Sequence, residues 1–288
     1  MTTKAPALNR QSPAVGVGVG VEVEVGVAAA APVAYLLHLA DNALILGQRN
    51  AEWCGHGPIL EEDIALANNS LDLIGQARLL YQRAAELLGH GATEDSLAYF
   101  RDVPDFLNYT LLELPHSSAL LPTAASERDF ATTIVRNFFY SALMVLLWDR
   151  LQASCDSQLA AIAAKSLKEA RYHLRHARDW LVRMGDGSPL SKARAQSAVD
   201  HLWAYTQEFW TPSAHEQSAQ QSGLGTDITA LQGDWNAIVD AALSQATLQR
   251  PDQGGYVPTG KQGVHSEHLG FVLAEMQSLA RAHPNATW

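Results

Sequence analysis

With 288 residues, 47% of them hydrophobic, the chain can bury one large core, and one extended helical domain is the simplest division of it. Twenty Lys and Arg stand against 30 Asp and Glu, a formal net charge of -10, which argues against nucleic acid as a partner. Cys54 and Cys155 lie far apart and form no CxxC or Cys/His zinc spacing, so a disulfide framework has no support and a reducing, cytoplasmic compartment is expected.

Residues 1–32 stand apart from the rest. Val15 to Gly26 alternate valine with glycine or glutamate and pass into Ala28–Ala31. Glu22 and Glu24 interrupt the run as a membrane span and as a secretory apolar region alike, so no membrane partner is expected. The stretch is expected to be a disordered, low-complexity extension, with a single helical domain over 33–288.

From Tyr35 the periodicity is helical. Leu36, Leu39, Ala43 and Leu46 place a first helix over Tyr35 to about Glu52, ended by Gly55 and Gly57-Pro58. A longer second helix carries Ile64, Ala67, Leu71, Ile74, Tyr81, Ala84 and Leu88 as its expected core stripe and stops at Gly89. Prolines 104, 115 and 122 then break the pattern around a short helical piece at Asp105–Glu113, the long crossover that two helix pairs need. A third helix from Asp129 to about Leu151 is expected to bury Ile134, Phe138, Ser141, Val145 and Trp148. The fourth, Gln158–Met184, repeats Leu159, Ala163, Leu167, Ala170, Leu174, Ala177 and Leu181 in a near-heptad, the geometry of side-by-side packing, with Gly185 as its C-cap. Ser188-Pro189 opens a covering helix over Ser191–Trp210, a second runs over Asp227–Gln245, and a last helix spans Ser266–Ala282. The pattern predicts an all-α, ferritin-like four-helix bundle with additional C-terminal helices.

Such a frame holds di-iron when two helices each supply a Glu and two others each supply Glu-x-x-His. The third helix has no Asp or Glu between Asp129 and Asp149, and the second offers Asp72 with Gly75 three residues on, where a ligand histidine belongs. The fourth keeps Glu169, but Tyr172 stands three residues later and His173 four. Asp72, Gly75, Glu169, Tyr172 and His173 therefore read as degenerate di-iron positions, with neutral Asn69 and Gln76 beside them. No catalytic residue and no bound metal are expected. His265-x-Glu267-His268 falls at a helix start after a glycine turn, where polar residues cap amides. Trp53-Cys54-Gly55-His56-Gly57-Pro58 reads as a turn, since nothing is placed to orient a thiol/imidazole pair. Lys165, Lys168, Arg171, Arg175 and Arg178 form a basic sector that reads as a solvated or partner-facing side.

Several blocks carry a resemblance: Leu39–Arg49, Glu52–His56, Glu61–Arg78 with Leu71-Asp72-Leu73-Ile74-Gly75-Gln76, Lys168–Arg175, and Gly263–Gly270 with Leu273–Gln277. From about Tyr35 to Trp288 the chain resembles the structural subunits of phenylacetyl-CoA epoxidase complexes. The resemblance implies a bacterial monooxygenase that epoxidises the ring of phenylacetyl-CoA in aerobic phenylacetate degradation. It implies a homologous catalytic partner subunit holding the di-iron site, other subunits of the complex, and a reductase carrying flavin, iron–sulfur and NADPH chemistry. The chain itself is implied to bind no cofactor. Contacts to the acyl-CoA are implied near Asp105, Phe106, Leu107 and Asn108, and around Gln217, Ser218 and Ala219. Two alternatives stay open: a stand-alone oxidase with an altered metal site at Glu169 and His173, and an acyl-CoA-binding helical module.

Overall fold

A computed structural model describes residues 31–117, 128–252, 256–284 and 286. The expected 1–32 extension lies almost wholly outside the described residues. Those residues are helical, with no strand among them beyond a single bridge between Thr259 and Val264.

Four long helices form the bundle: α1 (Ala31–Ala51), α2 (Leu60–Leu88), α5 (Phe130–Leu151) and α6 (Ser157–Gly185). Helices α1 and α2 pair closely, as do α5 and α6. Helix α5 starts where the Asp129 carboxylate accepts from the Ala131 amide, and α6 where Asp156 accepts from Gln158 and Leu159. Gly89, at φ 68°, ends α2 as expected, because a left-handed residue there costs glycine little. Helix α5 is long and apolar enough to cross a membrane, but 83% of that stretch is buried in the protein, as befits a core helix.

Gly185 is the last residue of α6 rather than its cap. A Cβ there would collide with the Ala246 carbonyl oxygen, so the glycine serves a close approach between chain segments.

The crossover differs from expectation. It contains α3 (Glu94–Tyr99), opened by a Thr93/Ser96 capping box, a 3₁₀ turn at Val103–Asp105, and α4, which is only Thr110–Glu113. Residues 106–109 are not helical because α1 side chains take their backbone groups. Asp41 accepts from the Leu107 amide at 2.8 Å, the Leu107 carbonyl lies 2.6 Å from His38 Nδ1, and Asn42 Oδ1 accepts from the Tyr109 amide at 2.7 Å. These bonds replace the ladder that a helix would have used.

The covering helices also divide more finely than the periodicity suggests. Helix α7 (Pro189–Trp203) gives way to a 3₁₀ segment at Ala204–Trp210, and α9 (Gln232–Gln245) follows a 3₁₀ turn at Ile228–Leu231. Between them lies an unexpected α8 (Ala214–Ser222), held by a Ser213/Glu216 capping box. Helix α10 (Glu267–Ala282) closes the chain. Phe139, Trp203, Phe209, Trp210 and Trp235 meet edge-on or tilted under α7 and α9, and Trp235 Nε1 donates to the Phe139 carbonyl at 3.0 Å.

The largest correction concerns α2. Its core face is Leu66, Leu73, Ala77, Leu80, Tyr81 and Ala84, with Asn69, Ser70 and Gln76 also buried. Ile64 and Leu71, expected in the core, are 52% and 67% exposed, and Ala67 and Ile74 are only half-buried. The helix is apolar on two faces, and periodicity alone does not say which one turns inward.

Candidate functional site

The centre of the bundle is built from amides and hydroxyls. Asn50 on α1, Asn69 and Gln76 on α2, Asn137, Tyr140 and Ser141 on α5, and His173 on α6 line a cavity of about 10 Å³, floored by Leu46, Leu73, Met144 and Trp148. That space holds about one water. Asn137 Nδ2 donates to Asn50 Oδ1 at 3.1 Å, joining α5 to α1. Asn69 Oδ1, Asn137 Oδ1, the Tyr140 hydroxyl and Trp148 Nε1 are buried without a protein partner. A water touching two to four of them would relieve desolvation costs of about 1–3 kcal/mol each. Burial pushes the Tyr140 phenol well above its ordinary range, so it stays neutral.

The charged groups sit to one side, along the seam where α2 and α6 run antiparallel. Three pairs bridge it. His173 Nε2 lies 3.0 Å from Asp72 Oδ2, Gln76 Nε2 donates to Glu169 Oε2 at 2.8 Å, and His176 Nε2 lies 2.8 Å from Glu62 Oε2. Glu169 has Lys165 as a second neighbour at 3.7 Å. Each carboxylate is thus engaged by its own cross-helix partner, and none points at a common centre. Gly75 leaves open space beside this seam, and Tyr172 is exposed, stacked on His176.

This donor set does not fit a di-iron centre. Helix α5 presents Asn137, Tyr140, Ser141 and Met144 to the cavity where a carboxylate would be needed, and α2 presents no imidazole. Among the described residues no three His, Cys, Asp or Glu side chains gather where a metal ion could be held.

A second polar assembly, not anticipated from sequence, stitches α1 to the crossover and the C-terminal segment. Asp41, fully buried, accepts from the Tyr81 hydroxyl at 2.5 Å and from the Arg101 guanidinium. Glu113 accepts from Asn108 Nδ2, from the Ser266 amide and from the His265 ring at 2.7 Å. Glu208 accepts from the Thr110 and Lys261 amides, and Lys261 Nζ donates to Glu216 at 2.7 Å. Burial pushes Glu208 up to about 7. Acid and amide residues inside otherwise apolar stretches, such as Leu39-Ala40-Asp41-Asn42, were the available signal for it.

The expected acyl-CoA contacts fall around this assembly. Asp105 caps the 3₁₀ turn by accepting from the Asp102 amide, and Phe106 is buried beneath the Arg101 guanidinium, 4.2 Å away. Leu107 is tied to Asp41 and His38, and Asn108 is buried on Glu113. On α8, Gln217 is exposed, Ser218 half-buried and Ala219 buried. Both groups lie against α1, which α4 and α8 contact directly.

A larger open cleft of about 760 Å³ lies elsewhere, between the turn after α1 and the N-termini of α5 and α7. Trp53, Phe130, Met184 and Leu190 floor it, and Arg128 and Arg194 bring positive charge to its wall. Behind it His116 Nδ1 lies 3.2 Å from Trp53 Nε1 and 2.9 Å from an Arg136 nitrogen, two N–H donors. The ring proton therefore sits on Nε2, which lies 3.3 Å from Glu52. Burial, with Arg136 close by, brings His116 down to about 4.

Comparison with known proteins adds two findings. The family model described as "Phenylacetic acid catabolic protein" matches residues 23–288. The chain is also 46% identical over 255 residues to a 1,2-phenylacetyl-CoA epoxidase subunit of Escherichia coli (strain K12), covering 88% of this chain and 98% of that one.

Proposed function

The chain belongs to the phenylacetic acid catabolic protein family, and from that membership we propose that it is the non-catalytic, structural subunit of a phenylacetyl-CoA epoxidase complex. It pairs with a homologous iron-bearing subunit and supports it, while other components bring flavin, iron–sulfur and NADPH chemistry. The carrying observation is the bundle centre. Where a di-iron protein places carboxylates, this chain places Asn69, Asn137, Tyr140 and Ser141, and its seam acids are each engaged by a cross-helix partner of their own. A bundle kept intact without its metal ligands is what a scaffolding homologue retains.

The chain's own residues hold no reacting atom in this reading. Asp72, Glu169, His173 and Gln76 lock α2 to α6, so the face offered to the partner is rigid. The test is to produce the chain with its catalytic homologue, purify the complex, separate the subunits and measure iron in each. The reading expects a stable heteromer with iron in the homologue only. Full epoxidase activity of the homologue without this chain would end it.

A second reading, that the chain also touches the acyl-CoA, is favoured by the cleft with Arg128 and Arg194. Its volume suits a cofactor-sized ligand, and its floor is aromatic and apolar. Calorimetry with phenylacetyl-CoA decides it: binding lost in Arg128→Ala and Arg194→Ala supports it, and no heat with the wild-type chain or its complex excludes it.

A further inference from the structure

The second apolar face of α2 has the spacing of a helix-packing seam. Leu60, Ile64, Ala67, Leu71 and Ile74 follow one another at four, three, four and three residues, the alternation that keeps one stripe facing a neighbouring helix. At about 100° per residue the stripe lies about 130° round the helix from the core positions Leu66, Leu73, Ala77 and Leu80. Its members Leu60, Ile64 and Leu71 are left uncovered by the described residues, while Ile74 at its C-terminal end leans on α1 beside Gly47. Leu60 is 72% exposed, Ile64 52% and Leu71 67%, and Ile59 just before the helix is 50% exposed. The run is about 21 Å long at about 1.5 Å per residue, longer than a scattered surface leucine explains.

We propose that this seam is where the homologous subunit docks, with an antiparallel α-helix of its own laid along α2. The inference rests on the scaffold reading above and names the surface that reading requires. Charge on the flanks fixes the occupant's character. Glu61 is exposed at the N-terminal end of the seam, and Arg78 follows the stripe at its C-terminal end, 68% exposed and 3.3 Å from Glu94. The docked helix carries apolar residues at matching three- and four-residue intervals, a cation opposite Glu61 and an acid near Arg78. Gly75 and half-buried Ala67 let its backbone come close, and a Cβ at Gly75 would meet nothing within 4 Å of its own chain. A second copy could match the same flanks, but two chains of formal charge -10 repel each other, which favours a distinct homologue.

The experiment uses the full chain produced with its homologue. Ile64→Lys and Leu71→Lys alter exposed side chains, so the isolated variants should keep the wild-type melting temperature. Size-exclusion and titration measurements should show the complex weakened by at least roughly tenfold for either variant, the loss expected when a lysine is buried in an apolar contact. Lys168→Glu, on the basic outer face of α6, should leave it unchanged. As an independent readout, a cysteine at Asn68, beside the stripe, should react with maleimide at least about tenfold slower in the complex than free, resolved from exposed Cys54 and Cys155 by peptide mass. A complex that survives both lysine variants with Asn68→Cys still reactive overturns the docking site and leaves the scaffold reading standing. A wild-type chain that never binds the homologue overturns the scaffold reading itself. A wild-type homodimer broken by the same variants shows that the seam takes a second copy and overturns the assigned occupant.

Discussion

His173 Nε2 lies 3.0 Å from Asp72 Oδ2, so the seam between α6 and α2 closes on an imidazole and a carboxylate that face each other. Asp72 is 38% exposed and His173 only 7%, so water screens one side of the pair. Asp72→Ala should cost about 1 kcal/mol, near the upper end for a partly solvated pair. Urea unfolding of Asp72→Ala, His173→Ala and the double variant measures the coupling, and strict additivity would mean the contact contributes nothing.

A histidine added to α2 alone should not create an iron site. Gly75→His places an imidazole three residues after Asp72, yet α5 still offers Asn137, Tyr140 and Ser141 to the centre. Metal analysis after anaerobic iron loading should find less than about a tenth of an iron per chain in wild type and variant alike, since hard iron needs the complete carboxylate set. A stoichiometric ion in wild type would instead support the oxidase alternative at Glu169 and His173.

Two glycines should respond in opposite directions to the same change. Gly75 sits inside a helix with open space around its Cα, so Gly75→Ala should stabilise the isolated chain by roughly 0.5–1 kcal/mol. Gly185→Ala forces a methyl group onto the Ala246 carbonyl and should cost about 1–3 kcal/mol through overpacking. Thermal melts of the two variants check the contrast.

Arg101→Met should be among the most damaging single changes. It leaves the Asp41 carboxylate fully buried with its guanidinium removed, a loss of about 3–5 kcal/mol for a broken buried pair. Hydrogen exchange should show the loss first at the Leu107 amide, which bonds to the same carboxylate.

Stability should fall as the pH drops from about 6.5 toward 4. Burial holds His116 down to about 4 and His215 to about 3, and lowers His38, His201 and His268 as well. A histidine whose folded pKa is depressed contributes stability above its unfolded value of about 6.5, and that contribution is lost as pH falls through the folded value. Glu208, raised to about 7, works the other way: it favours folding at low pH and loses that contribution as pH rises through about 7. One carboxylate does not offset several histidines. Melting temperature against pH should therefore slope downward into acid, and His116→Gln should flatten part of that slope.

The four bundle helices and most of their ends were legible because periodicity, caps and breakers agree there, though α1 begins at Ala31, four residues before its expected start, and Gly185 does not cap α6. Asp129, Asp156, Gly89 and Ser188 all act at helix ends. Helix α8 carries a signal of its own, Ser213 and Glu216 at capping-box spacing, but it is weakly amphipathic and lies in a polar stretch, where periodicity has little to grip. The crossover was not legible, since the partners of residues 106–109 stand on α1, some seventy residues away. Nor was the orientation of α2, which has an apolar stripe on both sides. Of the bundle centre, the missing carboxylates could be read from α5, whereas the cross-helix pairing of Asp72 with His173 and Gln76 with Glu169 needed the antiparallel register of two distant segments.

His38, Asp41 and Asn42 occupy one turn of α1, yet what they satisfy is extended backbone in the crossover. The path of residues 106–109 is thus inherited from a helix made long before them in synthesis. A fragment beginning after α1 keeps every residue of the crossover and loses the groups that give it a shape, so limited proteolysis of such a fragment should cut first between Phe106 and Tyr109.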